Sequence, residues 1–406
     1  MGTHNHTYNF DEQFQFSGKP KTWSLIGIII GIAAIAFGFL AGSAERTFAN
    51  LLLMAYYFAC VCAAGTVFIA IQFVSQAGWP TGLIRVPQAF ARTLPVASII
   101  LIAVVAAGLF SHHLYHHWYA EGITDPQSPN FDALVAGKSG YLNAPFFLTR
   151  IVVLLAIYSW FSLKLTNLSY GEDLAGGLNA YKKSFRNSIF FLIIFGFTSP
   201  VWSFDTVMSL EAHWFSTMFG WYNFAGLWVS GLCAITLTVI LLKKAGYLSW
   251  VNNNHLHDLG KYIFAFSIFW TYLWFSQFLL IWYANMPEET MYFYNRWTPE
   301  YKPWFWLNII INFVAPVLIL MTRESKRGVS IMIFMCILLL CGHWLDFYLM
   351  IMPGTVAEHR GFGIIEIGTA LGFAGLFTFL MLTQLSKKSL VPVNHPFLEE
   401  SLHHHV

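Results

Sequence analysis

The sequence predicts an all-α integral membrane protein with ten transmembrane helices. Hydrophobic residues make up 57% of the 406 positions and charged residues only 10%, whereas an ordinary soluble domain carries about 25% charged residues. Ten apolar segments are long enough to supply the roughly 20 residues that a spanning helix needs. The net charge of +2 is too small to favour a nucleic acid as partner. Lipid is therefore expected to be the main solvent of this chain.

The predicted elements follow these apolar segments in chain order. Residues 1–21 form a polar N-terminal segment, and its Asp11 and Glu12 argue against a cleavable signal peptide. The transmembrane domain covers residues 22–385, and residues 386–406 form the C-terminal tail. The predicted spans are 22–42, 48–74, 92–112, 145–166, 185–205, 216–242, 260–285, 303–322, 329–351 and 363–385.

Small residues predict where two of these helices pack. Gly27 and Gly31 lie four residues apart in the first span, and Gly368 and Gly372 do so in the tenth. Small residues at this spacing let helix backbones approach closely inside a membrane. We therefore expect these faces to lie in helix–helix contacts.

The distribution of positive charge predicts the orientation of the chain. An even number of spans places both termini on the same side of the membrane. With the N-terminus inside, most of the 22 Lys and Arg residues fall in cytoplasmic connections, as the positive-inside rule requires. The prediction is that both termini are cytoplasmic.

A few ionisable residues near one end of the spans predict proton chemistry. His343 and Asp346 lie three positions apart and so share one helix face. Asp205 lies at a similar depth in the fifth span, and Glu366 begins the tenth. A charged side chain at mid-helix disfavours insertion by about 2.5–3.5 kcal/mol, and burial shifts a carboxyl towards the range in which it exchanges protons. The alternative is that these groups are solvated or salt-bridged at the water interface.

Other polar positions are open to two interpretations. The seventh span carries hydroxyls and amides that can relay protons or simply bond between helices. An inward half-channel is a further hypothesis for polar groups near the cytoplasmic side. The seventh-span residues are Ser267, Thr271, Tyr272, Ser276, Gln277 and Tyr283, and the half-channel residues are Gln72, Tyr158 and Asp258. Glu288 and Glu289 are predicted to be solvated in a loop.

The histidine run 112–117 invites a metal interpretation. Its HxxHH spacing is typical of the histidine boxes of membrane desaturases, but a di-iron site needs several boxes on one face. His255 and His257 fall on the other face, so we predict no metal site and read the run as a titratable external patch. The five cysteines show neither CxxC nor CxxCH spacing. His343 alone lies well inside a span, which argues against a bis-histidine haem.

Two strings carry a family resemblance. They are FDTVMSLEAHWFST at residues 204–217 and WFSQFLLIWYANMPEET at residues 274–290. Both resemble the NrfD-like (polysulfide-reductase membrane subunit) family, in the branch found in alternative complex III, and the resemblance covers almost the whole chain. It implies two four-helix bundles, formed by helices 2–5 and 6–9, with helices 1 and 10 flanking them.

The resemblance also implies a function. It predicts a bacterial inner-membrane subunit of a respiratory quinol:cytochrome c, or quinol:electron acceptor, oxidoreductase, with menaquinol or ubiquinol as substrate and no haem or iron–sulfur cluster in this chain. The implied partners are a sister NrfD-like subunit, a periplasmic iron–sulfur subunit, multihaem cytochrome c subunits and a terminal oxidase as one of the alternative acceptors. The expected proton-transfer residues are Asp205, His343, Asp346 and Glu366, and the expected quinol contacts are His343, Asp346 and Tyr283.

Two other classes of function stay open at this point. A proton-coupled secondary transporter usually has broken helices and a charged site near the midplane, whereas the charges here lie towards one face. A structural anchor for periplasmic redox subunits would need no buried residues that bind a substrate or exchange protons.

Overall fold

The computed structural model describes residues 10–357 and 361–405. Within these ranges ten helices are long and apolar enough to cross a membrane, and we number them α1–α10 in chain order. No β-strand occurs in the described ranges, which contain one isolated bridge between Gln13 and Ser389. The helices are α1 (Lys19–Leu40), α2 (Ala44–Val74), α3 (Arg85–Phe110), α4 (Ala144–Ala175), α5 (Leu178–Thr206), α6 (Met218–Lys244), α7 (Asn253–Ala284), α8 (Lys302–Leu320), α9 (Val329–Ile351) and α10 (Ile364–Leu385). The predicted all-α membrane fold is confirmed.

Several helices extend further than the apolar segments predicted. α3 begins at Arg85 rather than at 92, and α4 ends at Ala175 rather than at 166. α7 begins at Asn253, where the Asn252 side chain caps the first turn by accepting from the amides of Asn254 and His255. Polar residues in such end turns supply hydrogen bonds to the unpaired backbone groups of a helix terminus. They lie outside the apolar segments, so an apolar pattern does not predict that they are helical.

The membrane helices form two four-helix bundles. In the first bundle, α2 packs on α3 and α5, and α4 packs between α3 and α5. In the second bundle, α6 packs on α7 and α9, and α8 packs between α7 and α9. α2 and α6 pack against each other, so the buried faces of the two bundles meet at the centre of the molecule. α1 and α10 flank the bundles as predicted.

The small residues of α1 and α10 form their shared interface. A Cβ atom on Gly31 would overlap the Cα atom of Gly372, and one on Gly27 would lie 3.2 Å from the Cα atom of Gly375. A Cβ atom on Gly368 would overlap the side chain of Ala34. The backbones of α1 and α10 can approach this closely only because glycine and alanine have little or no side chain, as expected for the predicted packing faces.

α8 is interrupted by a π-helical turn. The turn covers Ile310–Val314 and precedes Pro316, a residue that cannot donate the helical hydrogen bond and crowds the carbonyl four residues earlier. Asn308 and Asn312 both point to the bundle interior, where the Asn312 amide donates to Asn308 Oδ1 at 2.6 Å. Gly342 of α9 makes room for Asn312, because a Cβ atom there would overlap the Asn312 side chain.

Both described ends of the chain lie on one face, which we call the termini face. The Leu390 amide donates to the carbonyl oxygen of Glu12 at 2.9 Å, and Gln13 Nε2 donates to the carbonyl of Ser386 at 2.6 Å. The opposite face carries the two long connections, which contain the short helices Ala133–Lys138 and Pro287–Arg296.

The second of these short helices corrects a prediction. Glu288 and Glu289 were expected in a loop, but they form the first turn of the helix Pro287–Arg296. Pro287 is pre-shaped for a first helical position, and acidic side chains stabilise the positive end of the helix dipole. Both signals for a helix start, the proline and the two acidic residues after it, are present in the sequence.

Candidate functional site

Asp346 forms the polar centre of the second bundle. Its side chain is buried, and each of the other three helices of the bundle donates a hydrogen bond to it. Tyr222 Oη of α6 and Asn308 Nδ2 of α8 (2.9 Å) donate to Oδ1, and Trp270 Nε1 of α7 donates to Oδ2 at 2.9 Å. The carboxyl group therefore holds the four helices in one register.

His343 lies one turn earlier on the same face of α9. Its Nδ1 atom is 4.0 Å from Asp346 Oδ2, and its ring meets the Trp270 ring edge-to-face with centroids 5.6 Å apart. Neither ring nitrogen has a hydrogen-bond partner among the residues that the structure describes. A Cβ atom on Gly226 would lie 3.6 Å from both His343 Nδ1 and Asp346 Oδ2, so this glycine keeps the space beside the pair open.

The hydrogen-bond donors to Asp346 are all neutral. They are Tyr222, Trp270 and Asn308, and within the described ranges His343 is the only basic side chain within 4.0 Å of the carboxylate. An ionised carboxylate without a paired cation is costly in an apolar interior. The three hydrogen bonds offset part of this cost.

A small cavity adjoins the carboxyl group on the side of the opposite face. It is lined by Tyr222, Gln277, Arg296 and Asn308, and its volume of about 10 Å³ holds about one water molecule. Gln277 Oε1 is buried, with no hydrogen-bond partner in the described part of the chain. The cavity thus offers an acceptor to one small polar group.

An apolar groove runs along the outside of α7 and α8. Its volume is about 540 Å³, and its walls are mostly aromatic side chains such as Phe275, Phe278 and Trp306. Trp274 and Phe305 line both this groove and the small cavity beside Asp346. Two aromatic side chains therefore separate a lipid-facing groove from the buried polar centre.

A wider cavity, which we call the vestibule, opens on the opposite face. Its volume is about 560 Å³, and its titratable lining groups are His117, Glu211, His213, Glu288 and Tyr301. Burial and the nearby His116 and His213 lower the pKa of His117 to about 4, so this imidazole is neutral at physiological pH. The pKa of Asp132 is lowered by the backbone amide of Val135 and by His213, whose Nε2 lies 2.5 Å from Asp132 Oδ2.

Asp205 is buried in the first bundle but is neutralised there. Arg150 of α4 binds it with two hydrogen bonds, Nε to Oδ2 at 2.8 Å and Nη2 to Oδ1 at 2.9 Å. The guanidinium lies between the rings of Tyr141 and Phe146, 3.7 and 4.2 Å from their centroids. The structure therefore brings His343 and Asp346 together and holds Asp205 in a separate ion pair, which was the alternative interpretation.

Glu366 is also held in an ion pair. It receives hydrogen bonds from Arg46 at 2.7 and 2.6 Å and from Asn50 at 3.0 Å. Its Oε2 atom also accepts from the amide of Gly363 at 2.8 Å, which caps the start of α10. These contacts join α10 to α2.

The polar positions of α7 divide between two faces. Ser267 and Gln277 are buried, but Tyr272 and Tyr283 point outwards, and Tyr283 is 83% exposed. Successive helical residues turn by about 100°, so these side chains cannot form one continuous line. Tyr283 does not contact His343 or Asp346.

The residues of the hypothetical half-channel lie in separate contacts. Tyr158 shares a hydrogen bond with Thr198 at 2.7 Å, and Gln72 is buried without a partner for its amide among the described residues. Asp258 contacts Lys261 at 2.5 Å and His404 at 2.7 Å on the termini face. No hydrogen bond or ion pair within residues 10–357 and 361–405 joins Gln72, Tyr158 and Asp258 to one another.

The histidine run packs mainly on aromatic rings. His112 stacks on Tyr119, His113 stacks on Phe48, and the rings of His116 and His117 lie 4.3 Å apart. Among residues 10–357 and 361–405, no group of three His, Cys, Asp or Glu side chains is placed to hold a metal ion.

Sequence reasoning missed most of the partners of Asp346. Tyr222 and Trp270 gave no signal among many aromatic residues, but Asn308 and Asn312 stand four apart in an otherwise apolar span. Such a pair of amides on one helix face is costly in lipid and was a usable signal.

Comparison with known proteins adds no family assignment. No protein-family model matches the chain, and a search of curated proteins also finds no match. The resemblance to NrfD-like subunits therefore stays a prediction that depends on the two strings quoted above.

Proposed function

We propose that this chain is the membrane subunit of a quinol:electron acceptor oxidoreductase of the alternative complex III type, the second of its two NrfD-like subunits. His343 and Asp346 would accept protons from the quinol. The observation that carries the proposal is the buried Asp346 carboxyl, which has neutral donors around it and an imidazole with open nitrogens beside it.

The residues of this site match what quinol oxidation requires. Oxidation of a quinol to a quinone releases two electrons and two protons. The electrons go to a redox group of a partner subunit, since the proposal gives this chain none. Asp346 takes one proton, and a free nitrogen of His343 takes the second. General bases of this kind must reach the departing proton directly or through one water.

The aromatic groove supplies a place for the substrate. A quinol ring is flat and apolar on its faces, and its isoprenoid tail matches the lipid-facing wall formed by α7 and α8. Movement of Trp274 or Phe305 would let a hydroxyl group reach Gln277 Oε1 and the cavity beside Asp346. Quinol contacts are therefore assigned to Gln277, His343 and Asp346, and Tyr283 is not among them.

The remaining elements of the proposal concern place and partners. The chain lies in the bacterial cytoplasmic membrane with both termini in the cytoplasm, as the excess of Lys and Arg in the connections of the termini face favours. The vestibule then faces the periplasm. The sister subunit, the iron–sulfur subunit and the multihaem cytochromes c would assemble around it.

The direct test replaces Asp346 with Asn in the assembled complex. Quinol oxidation and proton release should both fall by about 100-fold or more, the typical contribution of a positioned proton acceptor. Glu121→Gln is the control, since this exposed carboxylate lies in the long connection before α4. Unchanged quinol oxidation and proton release in Asp346→Asn would overturn the proposal and leave the structural anchor as the better reading.

A proton-coupled transporter is the second candidate. The π-helical turn in α8 favours it, because helix interruptions often lie at substrate sites of transporters and π turns at functional sites. Purification of the native protein decides between them. Isolation without haem- or iron-containing partners, together with proton-coupled uptake in vesicles, would favour the transporter.

A further inference from the structure

Arg296 lies between the vestibule and the small cavity beside Asp346. The residue is 2% exposed. It donates to the main-chain carbonyls of Tyr292 at 2.6 Å and Leu349 at 2.8 Å, and its guanidinium stacks 3.4 Å from the centroid of the Tyr292 ring. The carbonyls of Leu349 and Met350 belong to the last turn of α9, the negative end of the helix dipole. The cation is thus held in place by the backbone.

Glu211 is the carboxylate that faces this cation from the vestibule. Arg296 Nη2 donates to Glu211 Oε1 at 2.6 Å and to the carbonyl of Met350 at 3.3 Å. Gly354 leaves room for the glutamate, because a Cβ atom there would lie 2.7 Å from Glu211 Cγ. Arg296 lines the small cavity and Glu211 lines the vestibule. The ion pair therefore forms the wall between the two cavities.

Arg296 and Glu211 differ in whether the side chain can gain or lose a proton. An arginine side chain stays protonated in proteins, and a fixed positive charge in a narrow passage excludes protons and other cations. Burial is the largest single influence and acts to lower the pKa of Arg296, but the charge and hydrogen bond of Glu211 together with the nearby Tyr292 and Tyr222 outweigh it, and the pKa is raised overall. Burial also raises the pKa of Tyr292 well above its usual value, so Tyr292 stays neutral. Glu211 is then the member that can accept a proton.

We propose that Glu211 and Arg296 form a gate through which protons leave Asp346 for the vestibule. The proton leaves the Asp346 carboxyl group, crosses the small cavity on water, and binds the Glu211 carboxylate. Neutral Glu211 loses its attraction to Arg296, turns to the vestibule and releases the proton to water there. The carboxylate then pairs with Arg296 again and closes the passage. This gate rests on the proposed role of Asp346 as a proton acceptor.

Other ionisable groups face the same passage from the neighbouring elements. They are His117 of the connection after α3, His213 of the connection after α5, Glu288 and Tyr292 of the helix Pro287–Arg296, Tyr301 immediately before α8, and Tyr222 of α6.

The test measures how fast the Asp346 carboxyl group exchanges its proton for deuterium, by infrared spectroscopy of the full-length protein in liposomes. The closed gate separates Asp346 from the water of the vestibule, so Arg296→Gln should speed this exchange by about tenfold, since a focused charge changes local ion concentration by at least that factor. Arg296→Lys keeps the charge and should exchange more slowly than Arg296→Gln. Asp346→Asn removes the carboxyl band and so assigns it to Asp346.

Two results would overturn the gate. One is an unchanged exchange rate in Arg296→Gln; the other is an equally fast exchange in Arg296→Gln and Arg296→Lys, which would indicate general damage. In the assembled complex, Glu211→Gln should delay proton release relative to quinol oxidation, and Glu121→Gln should not. If Glu211→Gln fails to assemble, Glu211→Asp keeps the charge one methylene further from Arg296, and an unchanged release time in it counts against the gate.

Failure of the gate and failure of the proposed function can be told apart. The exchange measurement needs neither quinol nor partners. If Asp346→Asn abolishes quinol oxidation while Arg296→Gln leaves the exchange rate unchanged, the gate alone is wrong. If Asp346→Asn oxidises quinol normally while Arg296→Gln speeds the exchange at Asp346, the quinol assignment alone is wrong.

Discussion

The two four-helix bundles each bury an aspartate towards the opposite face, and they treat it in opposite ways. Asp205 of the first bundle has a fixed cation, Arg150, in a two-pronged ion pair. Asp346 of the second bundle is held by neutral donors from three helices, with His343 at 4.0 Å. The comparison teaches that depth and burial do not identify a proton site by themselves. Under the proposed function, the neighbouring charge decides which carboxyl group is structural and which exchanges protons.

The largest expected effect concerns the ion pair of the first bundle. Arg150→Gln leaves Asp205 buried without its cation, so we expect a loss of about 3–5 kcal/mol in the free energy of unfolding. Reversible unfolding in mixed detergent micelles measures it. The double variant Arg150→Gln/Asp205→Asn should recover most of the loss. If the losses in the free energy of unfolding simply added in the double variant, the burial of charged Asp205 would not depend on its ion pair with Arg150.

The second prediction compares two glycines around Asp346. Gly342→Ala should destabilise the protein by about 1–3 kcal/mol, because the added methyl group overlaps Asn312 and the well-packed core must shift. Gly226→Ala should cost less, because its methyl group would meet Asp346 and His343 at ordinary contact distances of 3.6 Å. Thermal unfolding of both variants decides this. Equal losses would contradict the close approach of α8 to α9.

A smaller effect is expected when Asp346 itself is changed. Asp346→Asn breaks no ion pair with a fixed cation, and the amide can keep part of the hydrogen bonding, so the loss of stability should be about 1 kcal/mol. The same unfolding measurement applies, with Asp205→Asn beside it as the matched variant. A loss in Asp346→Asn as large as that in Asp205→Asn would remove the distinction between the two bundles.

A pH dependence is expected from histidines outside the spans. Burial lowers the pKa of His117 and of His395 to about 4 and also lowers that of His116. In the unfolded chain these groups take up protons from about pH 6.5 downwards. Stability should therefore be full above pH 6.5 and fall as the pH drops towards 4.

The corresponding measurement is the unfolding temperature at pH 7 and pH 5. His117→Gln should reduce the difference between the two values, and the exposed His403→Gln should not. A difference unaffected by His117→Gln would assign the acid sensitivity to other groups.

The sequence predicted the membrane helices and the nearness of His343 to Asp346, because both depend on local periodicity. It did not predict that Arg150 would bind Asp205. Pairing between helices depends on how each helix is rotated about its axis, and helices that are apolar on all sides carry little information about that rotation. The same reason explains why Tyr283 was placed with the site although it faces outwards.

The docking of the C-terminal tail has a consequence for biosynthesis. Ser401 Oγ donates to the carbonyl of Trp79 at 2.7 Å and accepts from the amide of Gly82 at 2.9 Å. The first of these bonds joins residues 322 positions apart, and contacts of such separation form late in folding. Until Ser401 has been synthesised, the Trp79 carbonyl and the Gly82 amide in the turn between α2 and α3 must therefore form hydrogen bonds with water at the membrane surface.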